Sequence, residues 1–505
     1  MLKLYHRRQP TPVLLTTRPQ EELSVKNEWP LDNAETLANL DAVLNHLSLR
    51  HRSQLRDLIL RHPDISKDTP GRTSLVIHDV DVGDASPIKQ SPYRLNPDRS
   101  RLVRKEIDYM LRCNLITPST SPWSSPVVLV KRENGQSRLC FDYRKVNSVT
   151  KHDCFPLPRI EDCIDSIGNA LYISKLDLLK GYWQVGLSPR AQEISAFITY
   201  EGLYVCKVMP FGMRNSAATF QRLMNTVLRG IEGCAVYIDD IVIFSNSWDE
   251  HLEILGKVFK AIENAGLVLN LKKCEFAKAT VVFLGHEIGY GHVAPKKSNV
   301  EAVLNFPCPR NPKEVRSFLG LAGYYRRFMQ NYAEITYPLT SLLKKGNKFK
   351  WDEPCQFAFD KIKAAITSYP ILKSPDFGIP FKLATDASDY GIGAVLFQTV
   401  GNENSPVAFF SKKLNSAQCK YSTVEKETLS LVLAYQHFEV YLSSNHGPIE
   451  VFTDHNPLTF VNRFRNKNAR LTRWSLFFQD KSLLIRHIKG KLNVVPDCLS
   501  RIPWE

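Results

Sequence analysis

The segment Ala235-Val-Tyr-Ile-Asp-Asp-Ile-Val-Ile-Phe244 places two adjacent carboxylates inside an apolar run that is otherwise typical of a β-strand. Aspartate is uncommon in strands, and an unpaired buried carboxylate is costly. Asp239 and Asp240 therefore indicate either a hairpin turn or a cation site, and Asp-Asp without glycine is a poor two-residue turn. A third carboxylate, Asp177, also ends a short apolar run. Three carboxylates on neighbouring strands suit two hard divalent cations that also hold a triphosphate.

Composition limits the classes of protein to which the chain can belong. Its 505 residues correspond to about three or four domains. Lys+Arg 66 against Asp+Glu 51 gives a net charge of +15, which favours a polyanionic partner. No window approaches the ~20 apolar residues of a membrane helix, so we expect no membrane partner. The 11 cysteines include no C-x-x-C pair, which favours reduced thiols in an intracellular compartment and argues against a zinc site.

The segment Tyr237-Ile-Asp-Asp240, together with the block around Asp177, resembles a reverse transcriptase. The family that it resembles is the Pol polyprotein of gypsy-type (Metaviridae-like) LTR retrotransposons, over the reverse transcriptase and RNase H region, roughly residues 85 to 503. The resemblance rests on an ordered series of blocks, which are Ser121-Pro-Trp-Ser-Ser-Pro-Val-Val-Leu-Val-Lys131, Phe141-Asp-Tyr-Arg-Lys-Val-Asn147, Leu176-Asp-Leu-Leu-Lys-Gly-Tyr-Trp-Gln-Val185, Met209-Pro-Phe-Gly-Met-Arg-Asn-Ser-Ala-Ala-Thr-Phe-Gln221, Phe283-Leu-Gly285, Phe318-Leu-Gly-Leu-Ala-Gly-Tyr-Tyr-Arg-Arg-Phe328 and Ala384-Thr-Asp-Ala-Ser388.

This resemblance implies an α+β multidomain fold. A right-hand polymerase with fingers, palm and thumb would be followed by a helical connection and an RNase H-like α/β domain. The domains that we predict are an N-terminal extension or linker with a helical lead-in at 1–84, the fingers and palm at 85–290, a mainly helical thumb or connection at 291–375, and the RNase H-like domain at 376–505.

The resemblance also implies roles at the polymerase site. Asp177 and Asp239 match the principal ligands of two Mg²⁺ ions (Mn²⁺ is the alternative cation), and Asp240 matches the weaker ligand. Tyr182 matches the residue that excludes a ribose 2′-hydroxyl; an ordinary core tyrosine is the alternative. Further substrate-binding positions are implied for the fingertip cations Lys131 and Arg138, for Phe211 and Gly212 in the nucleotide and template pocket, and for the primer-grip residues Phe283, Leu284 and Gly285. A solvated surface is the alternative for the two cations.

A second acidic group resembles the two-metal centre of RNase H. Its four carboxylates, expected to converge from strand, helix, strand and helix in a pocket remote from the polymerase site, are Asp386, Glu427, Asp454 and Asp497. Glu425 is the rival of Glu427, and an acid in a helix first turn is the alternative role for Asp497. His487 matches a histidine that assists product release, with a structural role as the alternative.

A basic stretch near the second acidic group could contact a nucleic-acid hybrid. Its cations are Arg463, Arg465, Lys467, Arg470 and Arg473. A-form hybrids are bound through their shape, sugar hydroxyls and phosphates, so such a contact would be independent of sequence. A solvated basic loop is the alternative.

The implied function is RNA- and DNA-directed DNA synthesis together with degradation of the RNA strand of RNA–DNA hybrids, by two-metal phosphoryl transfer at both sites. The expected partners are an RNA template, a DNA primer–template, an RNA–DNA hybrid and deoxynucleoside triphosphates; the oligomeric state is left open. We expect the protein in the cytoplasm, in a retrotransposon particle, with access to the nucleus as an option. Two alternatives are a nucleic-acid-binding protein without catalysis and a chain in which only the RNase H half works. Without a D-[ST]-G protease motif or an integrase zinc module, we expect a processed product, a truncated element or a gene fragment.

Overall fold

The computed structural model describes residues 32–131, 137–344, 346–367, 372–401, 403–454 and 469–488. Across these ranges, none of the helices combines the length and the apolar character needed to cross a bilayer.

The chain enters the described region through three helices and a strand that pack on the palm. These elements are α1 (Asp32–Ala38), α2 (Leu40–Val43), α3 (Leu49–Leu60) and β1 (Thr73–His78). Leu55 and Ile59 of α3 are fully buried in the main core. The buried Asn33 side chain donates to the carbonyl of Leu269 at 2.7 Å. The part of the predicted extension or linker that begins at Asp32 is therefore packed into the palm.

The fingers and palm follow. Their elements are α4 (Pro97–Arg112), β2 (Ile116–Pro118), β3 (Ser125–Lys131), β4 (Ser137–Phe141), α5 (Arg144–Val149), α6 (Ile160–Asp165), β5 (Tyr172–Asp177), β6 (Val185–Leu187), α7 (Pro189–Ile194), β7 (Phe197–Ile198), β8 (Leu203–Cys206), α8 (Ser216–Val227), β9 (Cys234–Tyr237), β10 (Asp240–Ser245), α9 (Trp248–Asn264) and β11 (Glu275–Lys278). The finger sheet has the order β2-β8-β7-β3-β4, and the palm sheet has the order β11-β5-β10-β9. Strand β1 pairs in parallel with β6.

The palm sheet is covered on both faces, which explains the nearly continuous apolar run of β10. Successive side chains of a strand point to opposite faces. Ile241 and Ile243 enter the main core, whereas Val242 enters a second core that also contains Phe283 and Phe318. All three β10 side chains are fully buried, and each contributes about 1.5–3 kcal/mol to folding. The carboxylates Asp240 and Asp177 share their face of the sheet with Val242.

The thumb and connection combine a small sheet with several helices. The elements are β12 (Thr280–Phe283), β13 (His286–Gly289), β14 (His292–Pro295), α10 (Lys297–Leu304), α11 (Pro312–Gly323), α12 (Tyr332–Ile335), α13 (Tyr337–Ser341), α14 (Glu353–Thr367) and β15 (Leu372–Lys373). The strand order is β12-β13-β14-β15. Among its described residues, the part predicted as mainly helical contains α10 to α14 and also two strands, β14 and β15, which add to the sheet begun by β12 and β13.

The last part of the described chain is a mixed sheet with a long helix. Its elements are β16 (Phe381–Ala387), β17 (Gly391–Val400), β18 (Glu403–Lys413), α15 (Thr423–Leu442), β19 (Ile449–Thr453), α16 (Ala469–Phe477) and β20 (Leu483–His487). The strand order is β18-β17-β16-β19-β20. Strands β16, β17 and β18 are antiparallel, and β19 runs parallel to both β16 and β20.

A buried polar contact joins this last part to the palm and thumb. The Tyr441 hydroxyl on α15 donates to Asp165 at the end of α6. Arg327, which follows α11, pairs with the same carboxylate at 3.3 Å. Burial raises the pKa of Asp165, and the charge of Arg327 opposes that rise. Three separate parts of the chain therefore meet at one carboxylate.

Candidate active sites

Asp239 and Asp240 lie at the tip of the β9–β10 hairpin. Tyr237 and Asp240 face each other in the ladder, so Ile238 and Asp239 form a two-residue turn. The segment therefore does form the hairpin turn that its sequence disfavoured, with Ile238 and Asp239 rather than the two aspartates as the turn residues. The turn and the acidic cluster occur together, because the register of β10 with β5 places Asp240 directly opposite Asp177.

A buried glutamine holds this turn. Ile238 is β-branched and has a φ of 57°, a conformation that persists only when its surroundings impose it. The Gln221 side chain on α8 accepts from the Ile238 N–H at 2.7 Å and donates to the Val236 carbonyl at 3.3 Å. Gln221 belongs to the Met209–Gln221 block of the sequence, and this structural role was not predicted for it. Its sequence signal is a polar amide on the buried face of an amphipathic helix.

Two lysines compensate the charge of the polymerase carboxylates. Lys175 Nζ lies 3.4 Å from Asp240 Oδ1, and Lys273 Nζ lies 3.4 Å from Asp177 Oδ1. Burial raises the pKa of Asp177, and Lys273 opposes the rise. Loss of solvent, followed by the charge of Asp240, raises the pKa of Asp239, although Asp239 remains exposed at the tip. The three carboxylates are thus electrostatically coupled.

The predicted nucleotide pocket is built around stacked aromatic rings. The Tyr182 ring stacks on that of Phe211, with centroids 5.0 Å apart and planes at 20°. Burial and then the charge of Asp239 raise the pKa of Tyr182 to about 12. Gly212 has a φ of 93°, and its carbonyl accepts from the Asn147 amide at 2.8 Å. Tyr182 and Phe211 therefore form an aromatic surface beside Asp239.

The Phe283-Leu-Gly285 segment forms the turn between β12 and β13. Phe283 is fully buried, and Leu284 and Gly285 have φ values of 45° and 73°. The hydroxyls of Tyr324 and Tyr325 donate to the carbonyls of Leu284 and Gly285 at 2.8 and 2.9 Å. The backbone of the predicted primer grip is thus fixed by the end of the thumb helix α11.

The two predicted fingertip cations lie on paired strands. Lys131 ends β3, and Arg138 on β4 pairs with Val130. For these two residues the structure describes the backbone alone, and the intervening residues 132–136 lie outside the described part.

At the RNase H-like site, three of the four predicted carboxylates converge. Asp386 lies on β16, Glu427 on α15, and Asp454 directly after β19. One oxygen from each carboxylate lies within 4.8 Å of the others. Among the described residues, Asp386, Glu427 and Asp454 form the one group of three carboxylates that are this close to one another. Asp497 lies outside the described residues.

Glu427 is the most perturbed member of this cluster. It is 4% exposed, and burial, followed by the charges of Asp386 and Asp454, raises its pKa to about 9. Its Oε1 accepts from the Ala387 N–H at 3.3 Å, whereas its Oε2 is buried and has no hydrogen-bond partner among the described residues. A buried carboxylate oxygen without a donor, beside two further carboxylates, fits a hard divalent cation.

The rival residue Glu425 has a structural position. It forms a capping box with Ser422, in which the Ser422 N–H donates to Glu425 at 2.9 Å. Arg470 pairs with the same carboxylate, and its guanidinium lies 3.9 Å from the Tyr421 ring centroid. Arg470 therefore also has a structural partner, which the interpretation of the basic stretch as a substrate contact did not foresee. Arg463, Arg465 and Lys467 lie outside the described residues.

His487 lies next to the acidic cluster. It ends β20, opposite Thr453 in the ladder, and its Nε2 lies 3.0 Å from the Asp454 carbonyl oxygen. The side chain is exposed. The imidazole therefore lies at the exposed edge of the cluster.

Comparisons with known proteins agree with this division into two sites. The family model "Reverse transcriptase (RNA-dependent DNA polymerase)" matches residues 130–288, which include the β9–β10 hairpin. The model "RNase H-like domain found in reverse transcriptase" matches residues 351–450, which include Asp386 and Glu427.

Retrotransposon polyproteins are similar over most of the chain. The Retrovirus-related Pol polyprotein from transposon 297 of Drosophila melanogaster is 38% identical over 92% of this chain, and that from transposon opus is 37% identical over 82%. The chain belongs to the gypsy-type retrotransposon Pol family. The Transposon Tf2-3 polyprotein of Schizosaccharomyces pombe is 35% identical over 81% of this Pol chain. The Pol chain spans less than half of these relatives, namely 44%, 43% and 31% of their lengths.

Solved reverse transcriptases share the fold of this Pol chain. The foamy viral protease-reverse transcriptase dRH in complex with ds DNA has a TM-score of 0.78 at 25% identity, over 95% of this chain and 84% of that one. The foamy viral protease-reverse transcriptase in complex with dsDNA also gives 0.78, at 24% identity, over 92% and 99%. The predicted right-hand polymerase followed by an RNase H-like domain is therefore confirmed as the fold.

Proposed function

We propose that this Pol chain synthesises DNA on RNA and DNA templates and degrades the RNA strand of RNA–DNA hybrids. The observation that carries the proposal is the presence of two acidic clusters on two different sheets. One cluster is Asp177, Asp239 and Asp240 on the palm sheet; the other is Asp386, Glu427 and Asp454. Each cluster includes carboxylates inside the matching family model.

At the polymerase site, the carboxylates and the aromatic rings have separate tasks. Asp177 and Asp239 would hold the cations, and Asp240 would contribute less because Lys175 compensates its charge. Tyr182, stacked on Phe211, would lie under the sugar of the incoming deoxynucleoside triphosphate and leave no room for a 2′-hydroxyl. The turn at Leu284 and Gly285 would contact the primer backbone, which is a contact independent of base sequence.

At the RNase H-like site, Asp386, Glu427 and Asp454 would hold the cations. Bound Mg²⁺ at either site supplies charge stabilisation of the transferred phosphate and activates the attacking oxygen. Without a cation, Glu427 keeps its proton at neutral pH, because the carboxylate is buried beside two others. Cation binding must therefore release that proton. His487 stands at the exposed edge of the site, where a cleaved strand would leave.

Charge supports the proposed nucleic-acid partners. The net charge of +15 favours binding to a phosphate backbone, with an affinity that falls as salt rises. The foamy viral relatives were solved with double-stranded DNA and with an RNA/DNA hybrid. We extend both ligand classes to this chain, together with deoxynucleoside triphosphates and Mg²⁺.

The test separates the two reactions with isosteric variants of the full chain. Asp239→Asn should lower primer extension at least ~10²–10³-fold, because removal of a metal ligand costs several kcal/mol of transition-state stabilisation, while hybrid cleavage stays near normal. Asp386→Asn should lower hybrid cleavage to a similar extent, while primer extension on a DNA template, where no hybrid forms, stays near normal. Each variant thus serves as the folding control for the other.

Two outcomes of this assay would contradict the proposal. Near-normal extension by Asp239→Asn would show that the polymerase site is elsewhere. An unmodified chain that binds primer–template but neither extends primers nor cleaves hybrids would favour the alternative of a nucleic-acid-binding protein without catalysis.

A further inference from the structure

Lys175 contacts both the acidic cluster and the strand that leads into the primer-grip turn. It lies on β5 two residues before Asp177, so both side chains are on the same face of the palm sheet. Its Nζ is 3.4 Å from Asp240 Oδ1 and donates to the Val282 carbonyl at 3.2 Å. The Lys175 side chain is 21% exposed. Val282 lies on β12, immediately before the predicted primer grip.

Negative charge surrounds this ammonium group. In the palm sheet, Lys175 faces Glu275 on β11 and Val242 on β10. Burial raises the pKa of Asp177, and the charge of Lys175 is among the interactions that oppose this rise. Asp240 is in direct contact with Lys175. A largely buried ammonium group is costly unless it is paired. The contacts with Asp240 and Val282 meet that requirement, so the position of the ammonium is well determined.

The other lysine of the site is in a different situation. Lys273 also lies 3.4 Å from a carboxylate, that of Asp177, but its side chain is 64% exposed. Exposed ion pairs contribute little and are weakened by salt. Lys273 has the geometry of a replaceable counter-ion, whereas Lys175 is held between two strands.

We propose that Lys175 is a positioning residue that ties Asp240 to strand β12, so that the acidic cluster and the primer-grip turn keep a fixed relative position. Through Asp240 Oδ1 it also competes with a cation for that carboxylate. Asp240 is then a weak ligand because one of its oxygens is already compensated. This proposal rests on the proposed polymerase function and adds to it a determinant of geometry.

The test compares three variants of the full chain in an Asp386→Asn background, in which metal binding at the second site should be lost. Lys175→Met keeps the aliphatic stem and removes the ammonium, and Lys175→Arg keeps the charge. Lys278→Met is the matched control. Lys278 lies on β11 of the same sheet and contacts His46 rather than a carboxylate, so both methionine variants lower the net charge by one.

Two measurements should move in opposite directions for Lys175→Met. In primer extension, kcat should fall about tenfold, as expected for the loss of one charge-assisted hydrogen bond; KM for the primer–template should rise, and Lys175→Arg should recover most of the loss. In Mn²⁺ titrations of the protein without nucleic acid, followed by electron paramagnetic resonance, affinity should increase about fivefold, because Asp240 is released. A variant that is only destabilised would lose both primer extension and Mn²⁺ affinity.

Equal behaviour of Lys175→Met and Lys278→Met in both measurements would overturn the proposal. So would a loss of kcat with unchanged Mn²⁺ affinity, because Asp240 would then not be restrained by Lys175. If Lys175→Met does not fold, Lys175→Gln replaces it; this variant keeps a donor for Val282 and should show the gain in Mn²⁺ affinity. If the unmodified chain does not extend primers, the proposed function fails, and the Mn²⁺ titration still decides the role of Lys175.

Discussion

The negative charge of the carboxylates is compensated differently in the two acidic clusters. On the palm sheet, ammonium groups accompany the carboxylates: Lys175 contacts Asp240 and Lys273 contacts Asp177. In the RNase H-like domain, Asp386, Glu427 and Asp454 converge to within 4.8 Å, and a proton on Glu427 takes the place of a counter-ion. In the first cluster lysine side chains compensate part of the negative charge, and in the second a proton on Glu427 removes one negative charge.

The two sites therefore differ in how far they are preformed for a cation. The three RNase H-like carboxylates already have the spacing of a metal site, and one of them, Glu427, has a buried oxygen without a hydrogen-bond donor among the described residues. The palm carboxylates are opposite one another in register, yet each of two is shared with a lysine. We therefore expect the RNase H-like site to be assembled before substrate binds, and the polymerase site to be completed by the triphosphate and the primer, which bring further cation ligands.

The largest effect that we expect concerns stability and pH in the metal-free protein. The folded-state pKa of Glu427 is about 9 and its ordinary value is 4.5, so between these values the folded state binds a proton that the unfolded state releases. Stability should therefore fall as pH rises through this window, by up to ~1.4 kcal/mol per pH unit. Glu427→Gln removes this dependence. In urea unfolding with EDTA, the free energy of unfolding of the variant should rise relative to that of the unmodified protein between pH 5 and pH 8.

Two controls sharpen that experiment. Saturating Mg²⁺ should stabilise the unmodified protein more than Glu427→Gln, because a ligand that binds only the folded state adds to stability. Asp239→Asn should leave the pH slope of the RNase H-like domain unchanged. If the free energy of unfolding varies with pH in the same way for Glu427→Gln and for the unmodified protein, Glu427 is not protonated in the folded state.

A smaller effect should be confined to the polymerase site. Tyr182→Val opens space beside the Phe211 ring, so the preference for deoxynucleotides over ribonucleotides should fall about 10–100-fold, the range expected for a steric pocket. Tyr182→Phe keeps the ring and should keep the preference. Single-nucleotide insertion kinetics measure both. Unaltered sugar selectivity in Tyr182→Val would leave the tyrosine as an ordinary core residue, and hybrid cleavage should not respond to either substitution.

The resemblance to RNase H located Asp386, Glu427 and Asp454. The palm cluster could be located from the local sequence alone, because polar residues that interrupt apolar strands are visible locally. Asp177, Asp239 and Asp240 stood out in this way. The hairpin turn and the acidic cluster are not alternatives, because both occur in the same segment. Gln221 supports an Ile238 conformation that propensity alone disfavours. Such support comes from a helix distant in sequence, so no local pattern reveals it.

The remaining gaps also come from long-range register. The pairing of Lys175 with Asp240 depends on how β5 and β10 align, and its bond to Val282 depends on the path of β12. By contrast, the role of Glu425 had a local sign, since Ser422-Thr-Val-Glu425 is the pattern of a capping box. That pattern alone would have removed Glu425 from the candidate ligands. Asp497 stays a prediction.

The most direct test of the contrast between the sites is a Mn²⁺ titration of the full chain at pH 8 without nucleic acid or nucleotide, followed by the electron paramagnetic resonance signal of free Mn²⁺. We predict that the tightest binding is retained in Asp239→Asn and lost in Asp386→Asn, because the RNase H-like carboxylates are already close together whereas lysines compete for those of the palm. Retention of the tightest binding in Asp386→Asn, with its loss in Asp239→Asn, would contradict the account.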